Sequence, residues 1–160
     1  MSWRTFDVAV ARWHLRLAGV PLPAAAMRSL EEGCDTPSLA VLAALDGRGW
    51  SEIDPVVRAV LEERGEPLPD DATAAERVAD DLLRQLIAGE VTPEVAADRL
   101  GELGLVREGF AWPDLDRFRS LALDWELRVD FGLQDNAVRT AILREARAVL
   151  ARGGVRPPGA

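Results

Sequence analysis

Residues 73–104 read TAAERVADDLLRQLIAGEVTPEVAADRLGELG, and this stretch decides the fold class. Thr73 with Glu76 three positions on has the form of a capping box, in which a hydroxyl and a carboxylate satisfy the free amides of a helix's first turn. Val78, Leu82, Leu83, Leu86 and Ile87 then recur at the spacing of one helical face, until Gly89 supplies a stop. Thr92 and Pro93 repeat the start, since a proline at the first helical position removes an amide that has no intrahelical acceptor. Val95, Ala96, Leu100 and Leu103 fill the second helix before Gly104.

The same punctuation runs through the rest of the chain. Trp3, Phe6, Val10, Trp13 and Leu17 share one face of a first helix that Gly19 and Pro21 end. A second helix is predicted from about Pro23, through Met27 and Leu30, to Gly33. Thr36 and Pro37 open a third with Leu39, Leu42 and Leu45. Ser51 and Asp54 resemble a cap for a fourth, with Ile53, Val56, Val57, Val60 and Leu61 before Gly65. After a Gly-rich, aromatic connection (105–112), Pro113 opens a seventh helix with Leu115, Phe118, Leu121, Ala122, Trp125 and Val129, which Gly132 stops. Asp135 or Asn136 caps an eighth, whose face is Val138, Ile142, Ala146, Val149 and Leu150. No segment alternates apolar and polar residues as a strand does. The sequence therefore predicts an all-α, single-domain bundle of about seven or eight mostly short helices over residues 1–152, with a loose tail at 153–160 and a candidate subdivision at the proline-rich run 65–71. Short connections favour antiparallel neighbours.

Charge is distributed unevenly. Residues 62–108 hold 13 Asp+Glu against 5 Arg, a balance of −8 that equals the formal net charge of the whole chain. Such an asymmetry speaks to steering and solubility: it repels nucleic acid and anionic membranes and attracts a basic partner. The last helix and tail hold Arg139, Arg144, Arg147, Arg152 and Arg156 against Glu145. Those arginines either track phosphates or complement their own helix terminus and the acidic middle of the chain. The second account is the more economical, and it places the eighth helix beside the fifth or sixth. All basic residues are Arg. That excludes Schiff-base and P-loop lysine chemistry and, with the wealth of Ala, Gly, Pro, Leu and Val, suggests a GC-rich bacterial genome.

Few constellations point to chemistry. His14 and Cys34 are the only histidine and cysteine, too few for a zinc site, which recruits several such ligands. A di-iron bundle would need Glu-x-x-His on two helices. Cys34 precedes a helix start, where a thiol can become nucleophilic, but free cysteine is also among the most buried residue types. The acidic pairs Glu31-Glu32, Glu62-Glu63, Asp70-Asp71 and Asp80-Asp81 point about 100° apart on a helix and do not converge on one ion. Gly101 to Gly104 follows no strand and makes no phosphate cradle. No cofactor or metal is expected. A single thiol and the lack of a secretory leader or an apolar run of about 20 residues point to a cytoplasmic chain that does not span a membrane.

Five tryptophans among few aromatics invite a binding reading. Trp3, Trp13 and Trp125 fall at core spacing. Trp50 and Trp112 lie in connections before helices, as exposed anchors for a partner or as staples over the helix start. Ala18-Gly19 followed by Pro23, Ala26, Leu30 and Glu32 matches Ala88-Gly89 followed by Pro93, Ala96, Leu100 and Glu102 at an offset of 70. This is either a duplication or the pattern that any helix ending at Gly and restarting at Pro produces.

The run Leu86-Ile87-Ala88-Gly89-Glu90-Val91-Thr92-Pro93-Glu94-Val95-Ala96-Ala97, with Leu121 to Glu126 and Ile142 to Leu150, resembles uncharacterised all-helical proteins of actinobacteria and related bacteria. In these a Leu-Ile-x-Gly-x-x-x-Pro-x-x-Ala turn precedes a helix with an inward Trp. The resemblance covers residues 73–150; it implies a helical fold and brings no activity or site residue.

The function expected from these residues is a small acidic protein-binding module, of the kind represented by immunity proteins and antitoxins, with a basic protein as partner. Its contact residues are expected to be Glu66, Asp70, Asp71, Glu76, Asp80 and Asp81, with Trp50 and Trp112. The alternative is a small-molecule sensor or small enzyme with a bundle pocket lined by Trp13, Phe118 and Trp125, on which His14 or Arg128 converges.

Overall fold

The computed structural model describes residues 2–17, 19, 22–45, 48–105, 112–131 and 136–155. Among them are eight α-helices and no strand: α1 (Arg4–His14), α2 (Leu22–Glu31), α3 (Pro37–Ala43), α4 (Trp50–Glu63), α5 (Asp71–Ala88), α6 (Pro93–Leu103), α7 (Pro113–Asp130) and α8 (Asn136–Ala151). The protein is all-α, as the periodicity predicts. None of the helices described is long and apolar enough to cross a membrane. Contacts divide the chain into two units, Met1–Arg77 and Val78–Ala160, and the division falls within α5.

In the first unit α1 packs on α2, α2 on α3 and α3 on α4. The stripe read from the sequence, Phe6, Val10 and Trp13, is buried with Leu22, Leu39, Leu42, Val57 and Val60. Each such side chain contributes about 1.5–3 kcal/mol by leaving water. Cys34 joins this core at 1% exposure, its thiol donating to the Ser2 carbonyl at 3.6 Å, so it is a packed apolar group and not an exposed nucleophile.

Arg64, the C-cap of α4, ties the end of that helix to the start of α1. Its side chain is only 6% exposed. Nη1 donates to Asp7 Oδ1 at 2.8 Å and Nη2 to Glu66 Oε1 at 2.6 Å. The guanidinium lies 4.0 Å from the Trp3 ring centroid, and Trp3 meets Phe6 edge-on at 5.7 Å. A cation at a helix C-terminus is favoured by the helix dipole, and a buried guanidinium keeps its charge, so it needs carboxylates beside it.

In the second unit α6, α7 and α8 each touch the other two, while Val78, Leu82, Leu83 and Leu86 of α5 are buried. Gly101 lets α6 approach α7: a Cβ there would stand 2.9 Å from the Arg119 Cα. Arg139 of α8 grips Glu94 of α6 through Nη2 (2.9 Å) and Nε (3.3 Å) and lies 4.8 Å over Trp125. Arg152 donates to Asp114 in the first turn of α7 at 2.9 Å. The eighth helix does lie beside the sixth, and Arg139 to Glu94 is the predicted pairing of the Arg-rich helix with the acidic stretch.

Several local readings are corrected. Helix α1 ends at His14, so Leu17 and Gly19 lie beyond it; Ala18 and Pro21 are outside the described residues. Helix α4 begins at Trp50 with Gly49 as N-cap, which places Ser51 inside the first turn, out of capping position. Asp70, not Thr73, caps α5: its Oδ1 accepts the Thr73 amide at 2.7 Å, and Asp outranks Thr at an N-cap. Thr36 caps α3 as expected, accepting the Leu39 amide at 3.3 Å. Ile87, Val95 and Val129, read as core, are exposed. Gly19 and Gly89, equivalent in the offset-70 similarity, are both left-handed. Of the expected loose tail, Val155 is buried; Arg156, with residues 157–160, lies outside the described residues, as do the connection at 106–111, Gly132 and Asp135.

Two substitutions test this packing. Gly101→Ala gains helix propensity of about 1 kcal/mol but drives a methyl into α7 backbone, so a net destabilisation of about 1–2 kcal/mol is expected, read as a Tm lowered by several degrees. An unchanged Tm would remove the close-approach argument. Arg64→Met should cost about 1–2 kcal/mol, because Asp7 and Glu66, 25% and 41% exposed, lose charged hydrogen bonds, and adding Asp7→Asn should recover part of that loss. Additive effects in the double-mutant cycle would mean the pair is not coupled.

Candidate partner-binding surface

The six acidic residues singled out by sequence are largely occupied within the protein. In the first unit, Glu66 accepts from Arg64 and Asp70 caps α5. Asp71 Oδ1 stands 2.9 Å from His14 Nε2, with the side chains 21% and 19% exposed, and Glu76 is half-buried. In the second unit, Asp81 accepts from Gln85 Nε2 at 2.6 Å. Asp80 is half-buried against the turn after α8, where a Cβ on Gly154 would come 2.5 Å from Asp80 Oδ1. Trp112 is 1% exposed. It is a core residue beside the start of α7 and cannot be the exposed anchor, because burying an indole gains more than any short connection gives back by displaying it.

Trp50 is different. At the first position of α4 it remains 44% exposed, and it belongs to a cluster that sequence reasoning misses. The Arg16 guanidinium carbon lies 5.3 Å from the Trp50 ring centroid and 5.5 Å from that of Trp13. Arg16 Nη2 donates to Asp54 Oδ2 at 3.2 Å, and the Trp13 indole N–H donates to Asp54 Oδ1 at 2.7 Å. Arg58 flanks the Trp13 ring at 5.9 Å. Asp54 thus ties Trp13 to Arg16, and Arg16 alone reaches Trp50.

Backbone geometry makes Arg16 unusual. Five helix ends share one closing pattern, in which one residue donates three positions back and the next donates five back: Gly33, Gly65, Gly89, Gly153 and Arg16 occupy the first of these places. Each has positive φ, and Arg16 at 56° is the only non-glycine with positive φ among the described residues. A left-handed residue with a Cβ costs on the order of 1 kcal/mol or more. The fold asks for glycine at this position, and the chain carries the side chain that bridges the two tryptophans.

The electrostatics follow from the same contacts. Burial acts to raise the Asp54 carboxyl, but the Trp13 and Arg16 hydrogen bonds and the charges of Arg16 and Arg58 outweigh it and hold the group below its ordinary value of 3.8. The Thr73 amide likewise holds Asp70 down. Carboxyls lowered in the folded state give stability that is complete above their ordinary value and lost as pH falls through the lowered one. Elsewhere, Trp13 and His14 belong to the first unit and Phe118, Trp125 and Arg128 to the second; Trp13 is engaged by Asp54, His14 by Asp71 and Trp125 by Arg139. Among the described residues no group of three or more His, Cys, Asp or Glu comes together to hold a metal.

Comparison of the chain with protein-family models, with curated proteins and with solved structures finds no match.

Acid titration checks the Asp54 assignment. Urea midpoints should be steady from neutral pH to the ordinary carboxylate range and fall below about pH 4. Asp54→Asn should lower the neutral midpoint and flatten the acid limb. An acid limb as steep as that of the parent protein would sink the assignment.

Proposed function

We propose that this chain is a cytoplasmic protein-binding module, of the kind represented by small acidic immunity proteins and antitoxins, and that it meets its partner through the Trp50–Arg16 face of the first unit. The observation that carries this reading is Arg16, held in a left-handed conformation where four other helix ends carry glycine. Its side chain braces a half-exposed tryptophan.

Tryptophan and arginine are among the residues most enriched at interface hot spots, and an anchor fixed in the free protein loses little conformational freedom on binding. The contacts of the brace, two ring contacts and one ion pair, roughly balance its backbone cost and leave no clear gain in stability. Its ion pair is solvent-exposed, at 58% for Arg16 and 30% for Asp54, and such pairs contribute about 0–1 kcal/mol. The net charge of −8 favours encounter with a basic protein and disfavours nucleic acid.

Arg16→Gly separates binding from folding, because glycine adopts the same backbone without strain. Its Tm should stay within a few degrees of the parent protein, as relief of strain offsets the lost contacts. Quantitative affinity capture from the producing cells, with the parent chain, Arg16→Gly and Trp50→Ala as baits, should enrich a protein on the parent bait alone. Once that protein is purified, either substitution should weaken binding by about tenfold or more. Identical proteins bound by all three baits with equal affinity would rule out this face.

A further inference from the structure

Helix α7 carries two apolar phases, one buried in its first half and one exposed in its second, where Val129 is also 48% exposed. Leu115, Phe118, Leu121 and Ala122 form its buried side. Leu123, Leu127 and Phe131 are spaced four apart, and at about 100° per residue they form a ridge roughly half a turn away from that side. They are 51%, 58% and 78% exposed, the last two being the most exposed large apolar side chains described. A helix that only covers a core needs one apolar stripe. Three consecutive ridge positions on the far side, ending in a phenylalanine, exceed the scatter of single apolar residues that any surface carries.

The charge around this ridge identifies what fits it. Glu126 and Asp130 lie along one flank, Asp124 along the other and Asp116 beyond its N-terminal end, all exposed. Arg128 is turned to Asp124, its Nε donating to Oδ1 at 3.3 Å, and Arg119 stands two turns before Glu126, so the flank beside Phe131 is carboxylate. Asp130 occupies the last turn, where the helix dipole already places partial negative charge and where a carboxylate is locally unfavourable. Its presence deepens the negative potential beside Phe131. A second copy of the same face would set carboxylates against carboxylates. A ridge with four-residue spacing packs into the groove of another helix.

We propose that the outer face of α7 is a docking site for a basic amphipathic helix of a partner protein, whose apolar residues seat on Leu123, Leu127 and Phe131 and whose Arg or Lys flank meets Glu126 and Asp130. This surface lies in the second unit and shares no residue with the Trp50–Arg16 face, so either stands if the other fails.

The test uses the full chain and two fluorescent synthetic peptides of about 18 residues, long enough to form a helix. Both carry the same leucine ridge; one has arginine flanks, the other glutamate flanks. Fluorescence anisotropy should show saturable binding of the arginine peptide that weakens with salt, and none of the glutamate peptide. The double substitution Leu127→Ser with Phe131→Ser should weaken binding at least about tenfold while leaving the helical circular dichroism intact. Glu126→Gln with Asp130→Asn should remove most of the salt dependence, and Trp50→Ala should change nothing. The proposal is overturned if the arginine peptide does not bind, if both peptides bind alike, or if the serine variant binds as well as the parent chain. It is equally overturned if sedimentation shows a dimer of the parent chain that the serine variant converts to monomer, since the occupant would then be a second copy.

Discussion

A charged guanidinium is buried at the root of the first unit, and the placement of the start of α1 against the end of α4 follows from satisfying it. Arg64 is 57 residues from Asp7 in sequence, and arginine cannot shed its proton to escape an apolar site. Two carboxylates and the faces of Trp3 and Phe6 therefore have to assemble around it. That fixes the start of α1 against the end of α4. The other end of α1 is fixed by Trp13 on Asp54, nearer the start of α4, so the two helices run in opposite directions between one partly buried ion pair and one indole hydrogen bond. The Trp50–Arg16 stack stands at the second of these ties.

The acidic stretch divides differently from what its net charge suggests. A count of carboxylates treats each as available to a partner, but many have internal donors: a backbone amide for Asp70, arginines for Glu66 and Glu94, an amide side chain for Asp81, an imidazole nitrogen beside Asp71. Burial acts to raise the Glu94 carboxyl, and its own backbone amide and Arg139 more than offset that. Long-range steering survives such pairing in proportion to the residual net charge, whereas short-range recognition does not. The net charge of this stretch therefore bears on long-range steering and not on short-range recognition.

Legibility in the sequence depends on whether a signal is local. Helix starts at Pro37, Pro93 and Pro113 and the left-handed stops at Gly33, Gly65 and Gly89 are set by one or two residues, and the sequence alone places them. The end of α1 is not legible, because its closing residue is Arg16, which carries no local stop signal; only the pair of backbone bonds reveals it. The Trp50 cluster is half legible. An aromatic residue in a connection marks a candidate anchor, but its partner Arg16 comes from elsewhere in the chain, and the equally plausible Trp112 is separated from Trp50 only by burial.

Helix α7 shows the same limit from the other direction. Its inner face is readable at the usual spacing, and once a face is assigned the remaining apolar residues are easily counted as noise. Leu123, Leu127 and Phe131 obey the helical period as strictly as Leu115, Phe118 and Ala122 do, with the phase shifted by about half a turn. The first phase is buried over residues 115–122 and the second exposed over residues 123–131, where no residue of the helix is fully buried. The core of the second unit accounts for the first phase. The carboxylates bordering the second set its chemistry, since an apolar ridge covered by a neutral surface would gain nothing from Glu126, and Asp130 at a helix C-terminus works against the helix that carries it.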